Sequence, residues 1–202
     1  MRRCLAMGAL ACAAVLGGCA STRLVDSQVV AIAHVPAGMS LQGARYRFER
    51  LPSQLNNPEA GLAEQQAEQA MAAVGLVRND AAAQISVQVG FMGTEYLADP
   101  WGRPYGWGAP YGAVSIGHGV GWGSGVGFGM SMRLPPPPQY RREVSLILRD
   151  LRSGQVVYET RAVHDGPWSD SKTIFATLFQ AALAHFPNPP ASPFRVDIQI
   201  PR

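Results

Sequence analysis

Past Cys19 this chain has no cysteine, and it has one lysine, Lys172, in 202 residues. The first absence excludes any disulfide from the body of the chain, so its core must hold by packing alone. After an apolar run at the start, no second stretch is long enough to cross a bilayer as a helix. Charge is scarce as well, with 17 basic and 14 acidic side chains. Removal of Arg2 and Arg3 with a leading segment would leave 15 against 14, a net +1, which is not the balance of a nucleic-acid binder. The evenly spaced glycines from Gly117 to Gly129 never form GxGxxG, and no GxSxG elbow occurs, so the common nucleotide loop and hydrolase turn are both missing. Zinc would need three or four converging ligands without cysteine, whereas His34, His118, His164 and His185 lie on separate predicted elements. No metal and no cofactor is expected. His164-Asp165 and the acids Glu143, Asp150 and Glu159 are the tempting groups, and each is read as part of a solvated strand or turn.

What is present begins with an address. Arg2 and Arg3 precede an apolar core from Cys4 to Leu16, and Gly17 and Gly18 follow. This is the layout of an export signal, too short to span a membrane. Leu16-Gly17-Gly18-Cys19 resembles the lipobox of bacterial lipoproteins, which implies cleavage before Cys19 and acylation of its sulfur and amine. Two or more acyl chains hold a protein stably where one is marginal. Ala20 follows instead of the aspartate that retains lipoproteins in the inner membrane, so the resemblance implies the outer membrane, facing the periplasm. The outer leaflet of the inner membrane and the cell surface are the alternatives. Residues 1–18 are thus expected as the signal, 19–26 as a lipidated tether, and 27–202 as one domain.

Within that domain the periodicities indicate an α+β fold: an antiparallel sheet of about four to six strands, with two helices packed on one face. Strands are expected at 28–35, at 44–49 with Tyr46 and Phe48 inward, and from Ala83 to Phe91. Val144 to Leu148 and Val156 to Val163 form a hairpin around Asp150-Leu151-Arg152-Ser153-Gly154. Phe194 to Ile200 is an edge strand. Asn57-Pro58-Glu59 caps the first helix, whose alanine stripe ends at Gly75, with Glu64, Gln65, Glu68 and Gln69 in water. Ser169 or Asp170 caps the second, which runs to Phe186 with a wide apolar stripe.

Between residues 99 and 138 the composition breaks. Trp101, Tyr105, Trp107 and Tyr111 sit among glycine and proline. From Val114 to Met132 every odd position is glycine or serine, opposite a mostly apolar even row. That period of two suits a ribbon with one apolar face, and Pro135 to Pro138 suit a polyproline II spacer. A loose insertion, an extra β-hairpin, and an adhesive surface in which Trp107, Trp122 and Phe128 meet a partner, another copy or the membrane all remain open.

The order of these motifs is similar to the bacterial lipoproteins of domain-of-unknown-function family 4136. The Tyr46 strand leads to a helix ending in Val74-Gly75-Leu76. The Ala83 strand, the hairpin carrying Asp150 to Tyr158 and a helix closing on Phe186-Pro187 follow. The likeness covers roughly residues 43–190, with Tyr158 where the family usually has tryptophan. It implies a compact lipoprotein domain and no activity. The expected function is a lipid-anchored, non-enzymatic envelope module, joined to the membrane through Cys19 and to an envelope protein or itself through the insert, without nucleic acid. The alternative is an envelope hydrolase or carbohydrate-acting enzyme.

Overall fold

The computed structural model describes residues 22–97 and 138–201. The expected signal, Cys19, and the insert with Trp107, Trp122 and Phe128 lie outside the described residues. In chain order the elements are β1 (Thr22–Ala33), β2 (Arg45–Phe48), a 3-10 turn (Pro52–Gln54) and α1 (Pro58–Ala73). Then come β3 (Val77–Arg78), β4 (Ile85–Leu97), β5 (Pro138–Asp150), β6 (Val156–Gly166), α2 (Ser171–Ala182) and β7 (Phe194–Pro201). The fold is α+β as expected, but the sheet has seven strands in the order β3-β2-β4-β5-β6-β1-β7, not four to six. It is also not wholly antiparallel, because β2 runs parallel to both β3 and β4. A two-residue β3 carries no periodic signal. Its parallel pairing follows from α1, the crossover that returns the chain in the same direction.

β1 starts at Thr22, so residues 22–26, expected as tether, pair with 197–201 of β7. The inward row of β1 is Val25, Ser27, Val29 and Ala31, all buried. A serine in that row disguised the alternation. Pro138, expected in a spacer, is likewise the first residue of β5 and faces Leu97.

α1 forms where the capping signals place it. Asn57 Oδ1 accepts from the Glu59 N–H at 2.9 Å, and Pro58 takes the first helical position, where no intrahelical N–H is lost. Gly75 turns left-handed at φ 88°, and the Leu76 N–H reaches back to the Met71 carbonyl at 3.0 Å. Ala60, Ala63, Ala67, Ala70 and Met71 are buried. Glu64 departs from its expected wet face: it is only 8 % exposed, held by Arg50 Nε and Nη2 at 2.6 and 2.7 Å. Its partner lies 14 positions away, beyond what a helical period reveals.

α2 is capped by Asp170, whose side chain accepts from the Thr173 N–H at 3.2 Å. It ends at Ala182 rather than Phe186, with turns following. It packs on β5, β6 and β1, while α1 covers β4 and touches α2. The core lies between: Ile174, Leu178, Phe179 and Ala182 from α2 meet Val144, Leu146, Leu148, Tyr158 and Ala162 of the sheet. The hairpin turn is built as its residues suggest, with Asp150 accepting from the Arg152 and Ser153 N–H groups and Gly154 at φ 73°.

Candidate functional site

On β5 the residues facing the helices are Tyr140, Arg142, Val144, Leu146 and Leu148, so the apolar row stops at Val144 and a cation takes the next place. The ladders set Gly93 of β4 on one side of Arg142 and His164 of β6 on the other. Gly93 carries no side chain, and a Cβ there would meet Phe175 Cζ at 3.6 Å. A cleft of about 720 Å³ therefore opens at this end of the sheet, between the first turns of α1 and α2. Leu62, Phe91 and Phe175 supply apolar wall, and Arg142, Ser171 and Lys172 polar wall.

Arg142 is 1 % exposed. Its Nε and Nη2 both donate to Ser171 Oγ at 3.1 Å, the Tyr140 ring lies 4.9 Å from its guanidinium carbon, and Nη1 has no hydrogen-bond partner. Burial lowers its affinity for the proton below that of an ordinary guanidinium. Asp170, the acid whose charge acts on it, is bonded instead to Arg23 at 2.7 Å.

Asp170 titrates in a useful range. Bonds from Thr173, and then the Arg23 guanidinium, hold its carboxyl down at about 2. A carboxyl depressed on folding contributes stability above its unfolded value near 4, and that contribution disappears as pH falls through 2. With the side chain 42 % exposed, solvent screening leaves about 1 kcal/mol. Asp170→Asn keeps a capping oxygen but cannot titrate. The stability gap between wild type and this variant, measured by urea denaturation, should close by about 1 kcal/mol between pH 6 and pH 2.

His164 and Asp165 part company. Asp165 faces the open side of the sheet, with Arg141 at 3.1 Å and the Tyr96 hydroxyl at 3.1 Å. His164 turns inward, where the β1–β6 ladder has stopped at Gln28 and Val163, and Nδ1 lies 2.7 Å from the Asp26 carbonyl oxygen. A carbonyl only accepts, so it is Nδ1 that donates, which leaves the other ring nitrogen, Nε2. That atom and Ser27 Oγ are both buried without a partner. Ser27, His164 and Asp26 thus come together, yet neither Ser27 nor His164 lines the cleft.

The acids of the hairpin do not converge. Glu143 pairs with Arg161 and Asp150 caps the turn. Glu159 faces Ile147, four residues along β5 from Glu143, which is about 13 Å. His185 stacks edge-on against Phe194, while His118 lies outside the described residues. Among the described residues no three metal-binding side chains cluster, and no helix is long and apolar enough to cross a membrane.

Sequence reasoning missed Arg142, although the signal was there: it sits in phase with Val144, Leu146 and Leu148, where an outward residue would be out of phase.

Among curated proteins none matches significantly. Of solved structures, a PelC dodecamer from Paraburkholderia phytofirmans is 13 % identical with a TM-score of 0.45, covering 81 % of this chain and 99 % of that one. A PelC variant from the same organism is 14 % identical with a TM-score of 0.44, covering 78 % and 95 %. A PDZ domain protein from Parabacteroides distasonis is 11 % identical with a TM-score of 0.51. The alignment covers 88 % of this chain but 39 % of that one, and it shows likeness of fold alone. The family match spans β2 to β6 and both helices, leaving out the paired strands β1 and β7: the chain belongs to DUF4136, a domain of unknown function, whose model matches residues 36–188.

Proposed function

We infer that this chain is a lipid-anchored envelope protein, held at the outer membrane by acyl chains on Cys19. It works as a binding module rather than an enzyme, and its membrane-side end is the working end. The observation that supports this reading is a coincidence of ends. β1 antiparallels β6 from Ala33 toward Thr22, so its first residues lie at the Gly166 end of β6. Gly166 faces Tyr140 near the start of β5, and there Leu97 faces Pro138. β4 therefore ends, and β5 begins, at the end of the sheet where β1 starts. Three extended steps from Cys19 to Thr22 reach at most about 10 Å, and the exit strand β4 is three ladder spacings, about 14 Å, from β1. In this reading Trp107, Trp122 and Phe128 are the candidate contacts with the membrane surface or with a partner embedded in it.

Two measurements test this. The native protein should resist washing without detergent and give a triacylated amino-terminal Cys19 peptide by mass spectrometry, and Cys19→Ser should move it to the soluble fraction. A free Cys19 thiol, or a native protein that washes off, overturns the anchor. In proteoliposomes, a variant keeping Trp122 as its single tryptophan should be quenched by lipids brominated high on their acyl chains. No quenching in protein that remains anchored overturns the orientation.

A further inference from the structure

Arg142 is a buried cation with no ion-pair partner among the described residues. A buried charge is costly unless a counter-charge and hydrogen bonds offset it. Glu64, the other strongly buried charge, has its arginine. No carboxylate among the described residues comes within ion-pair distance of Arg142, because Asp170 is engaged by Arg23 and Thr173. What Arg142 does have is Ser171 Oγ, which receives two of its N–H groups at 3.1 Å. With both lone pairs engaged, that hydroxyl has its own proton left to donate. The free Nη1 is shut off from bulk water, and Arg142 lines the cleft together with Tyr140.

Two further features point to the same ligand chemistry. α2 begins at Ser171, and the positive end of its dipole faces the cleft. Lys172 lines the cleft with Arg142, against the carboxylates of Glu59 and Glu95, while the charge of Arg141 is taken up by Asp165 on the other face of the sheet. The hollow above Gly93 is walled by Leu62, Phe91 and Phe175, which suits an apolar body attached to a charged head.

We propose that this cleft binds a phosphate oxyanion, with Arg142 Nη1 and the Ser171 hydroxyl as donors at its floor and Lys172 at its rim. A phospholipid headgroup or a soluble phosphate ester offers the same oxygens. The lipid source rests on the membrane-side orientation inferred above, whereas binding of free phosphate does not, so the two readings fail separately.

The test uses the mature protein in a non-ionic detergent, titrated with inorganic phosphate at constant ionic strength against chloride. Arginine Nε–H signals are followed by NMR and affinity by calorimetry. Phosphate should shift the Arg142 signal saturably by about 10 mM, tenfold above a millimolar dissociation constant. Losing one charge-assisted bond should weaken binding roughly ten- to a hundredfold in Arg142→Met and Lys172→Ala. Arg142→Met should remain folded, since an apolar replacement for a buried ion is commonly neutral or stabilising. If it does not fold, Lys172→Ala and Ser171→Ala carry the test. Phosphatidylglycerol vesicles that displace phosphate from the Cys19→Ser protein, where neutral-lipid vesicles do not, identify the lipid source. Binding of phosphate without that displacement identifies the soluble ester. No saturable shift, an equal shift with chloride, or unchanged affinity in the variants overturns the proposal.

Discussion

Phe179→Ala should lower the free energy of unfolding by about 3–5 kcal/mol, the cost of emptying a fully buried aromatic position. Phe179 is 0 % exposed, on the face of α2 that packs on the sheet beside Leu178 and Ile174. Around it stand β-sheet residues whose backbones are fixed by ladders on both sides, so the site cannot collapse to fill the space, and the upper part of that range applies. No disulfide supports the fold once the core is weakened. Domains of this kind hold about 5–15 kcal/mol in all, so the loss is about a quarter of the stability or more. In urea the transition midpoint should fall with its slope unchanged, the signature of lost native stability rather than of altered unfolded-state compactness. Phe175, four residues earlier, is a fair control. It is half-buried and meets Phe91 edge-on, with ring centroids 6.2 Å apart at the wall of the cleft. Its truncation widens a hollow that is already open, and Phe175→Ala should cost clearly less. A Phe179→Ala protein within 1 kcal/mol of wild type would show that α2 does not close the core.

How much of this could be read from the residues alone follows from the range of the interactions involved. Signals that act within one turn or one strand were legible: the Asn57 cap, the Gly75 stop, the Asp150 turn and the inward rows of β5 and β6 each depend on neighbours a few positions apart. Interactions between distant residues were not. Glu64 looks solvated until Arg50 arrives from the end of β2. β3 is two residues long and exists because β2 offers it a parallel edge. His164 and Asp165 look like a pair in sequence, but consecutive strand residues point to opposite faces, so adjacency argues against their meeting. The cleft fell between these cases. Gly93 and Arg142 face each other only through the β4–β5 register, which spans the insert, and no local pattern fixes a register across that many residues.

The same register makes Gly166→Ala a sharp test of how His164 is held. A glycine-to-alanine change in an extended strand ordinarily stabilises by about 0.4–1 kcal/mol, because the unfolded chain loses freedom. Here a Cβ would stand 2.7 Å from His164 Nε2 and 3.1 Å from Cε1, too close for either atom. The imidazole has nowhere to retreat: it is 2 % exposed and tied by Nδ1 to the Asp26 carbonyl where the β1–β6 ladder ends. Moving it breaks that bond and frees a buried acceptor, so the overpacking cost of about 1–3 kcal/mol outweighs the entropic gain. Gly166→Ala should therefore lower the urea midpoint. Gly90→Ala should leave it unchanged or raise it slightly, because the Cβ there meets the Ser145 hydroxyl, which a rotation about χ1 removes. Equal effects at the two glycines would mean that His164 is free to turn. The wedge between β1 and β6 would then not set the end of the sheet at which Arg142 and the cleft are placed.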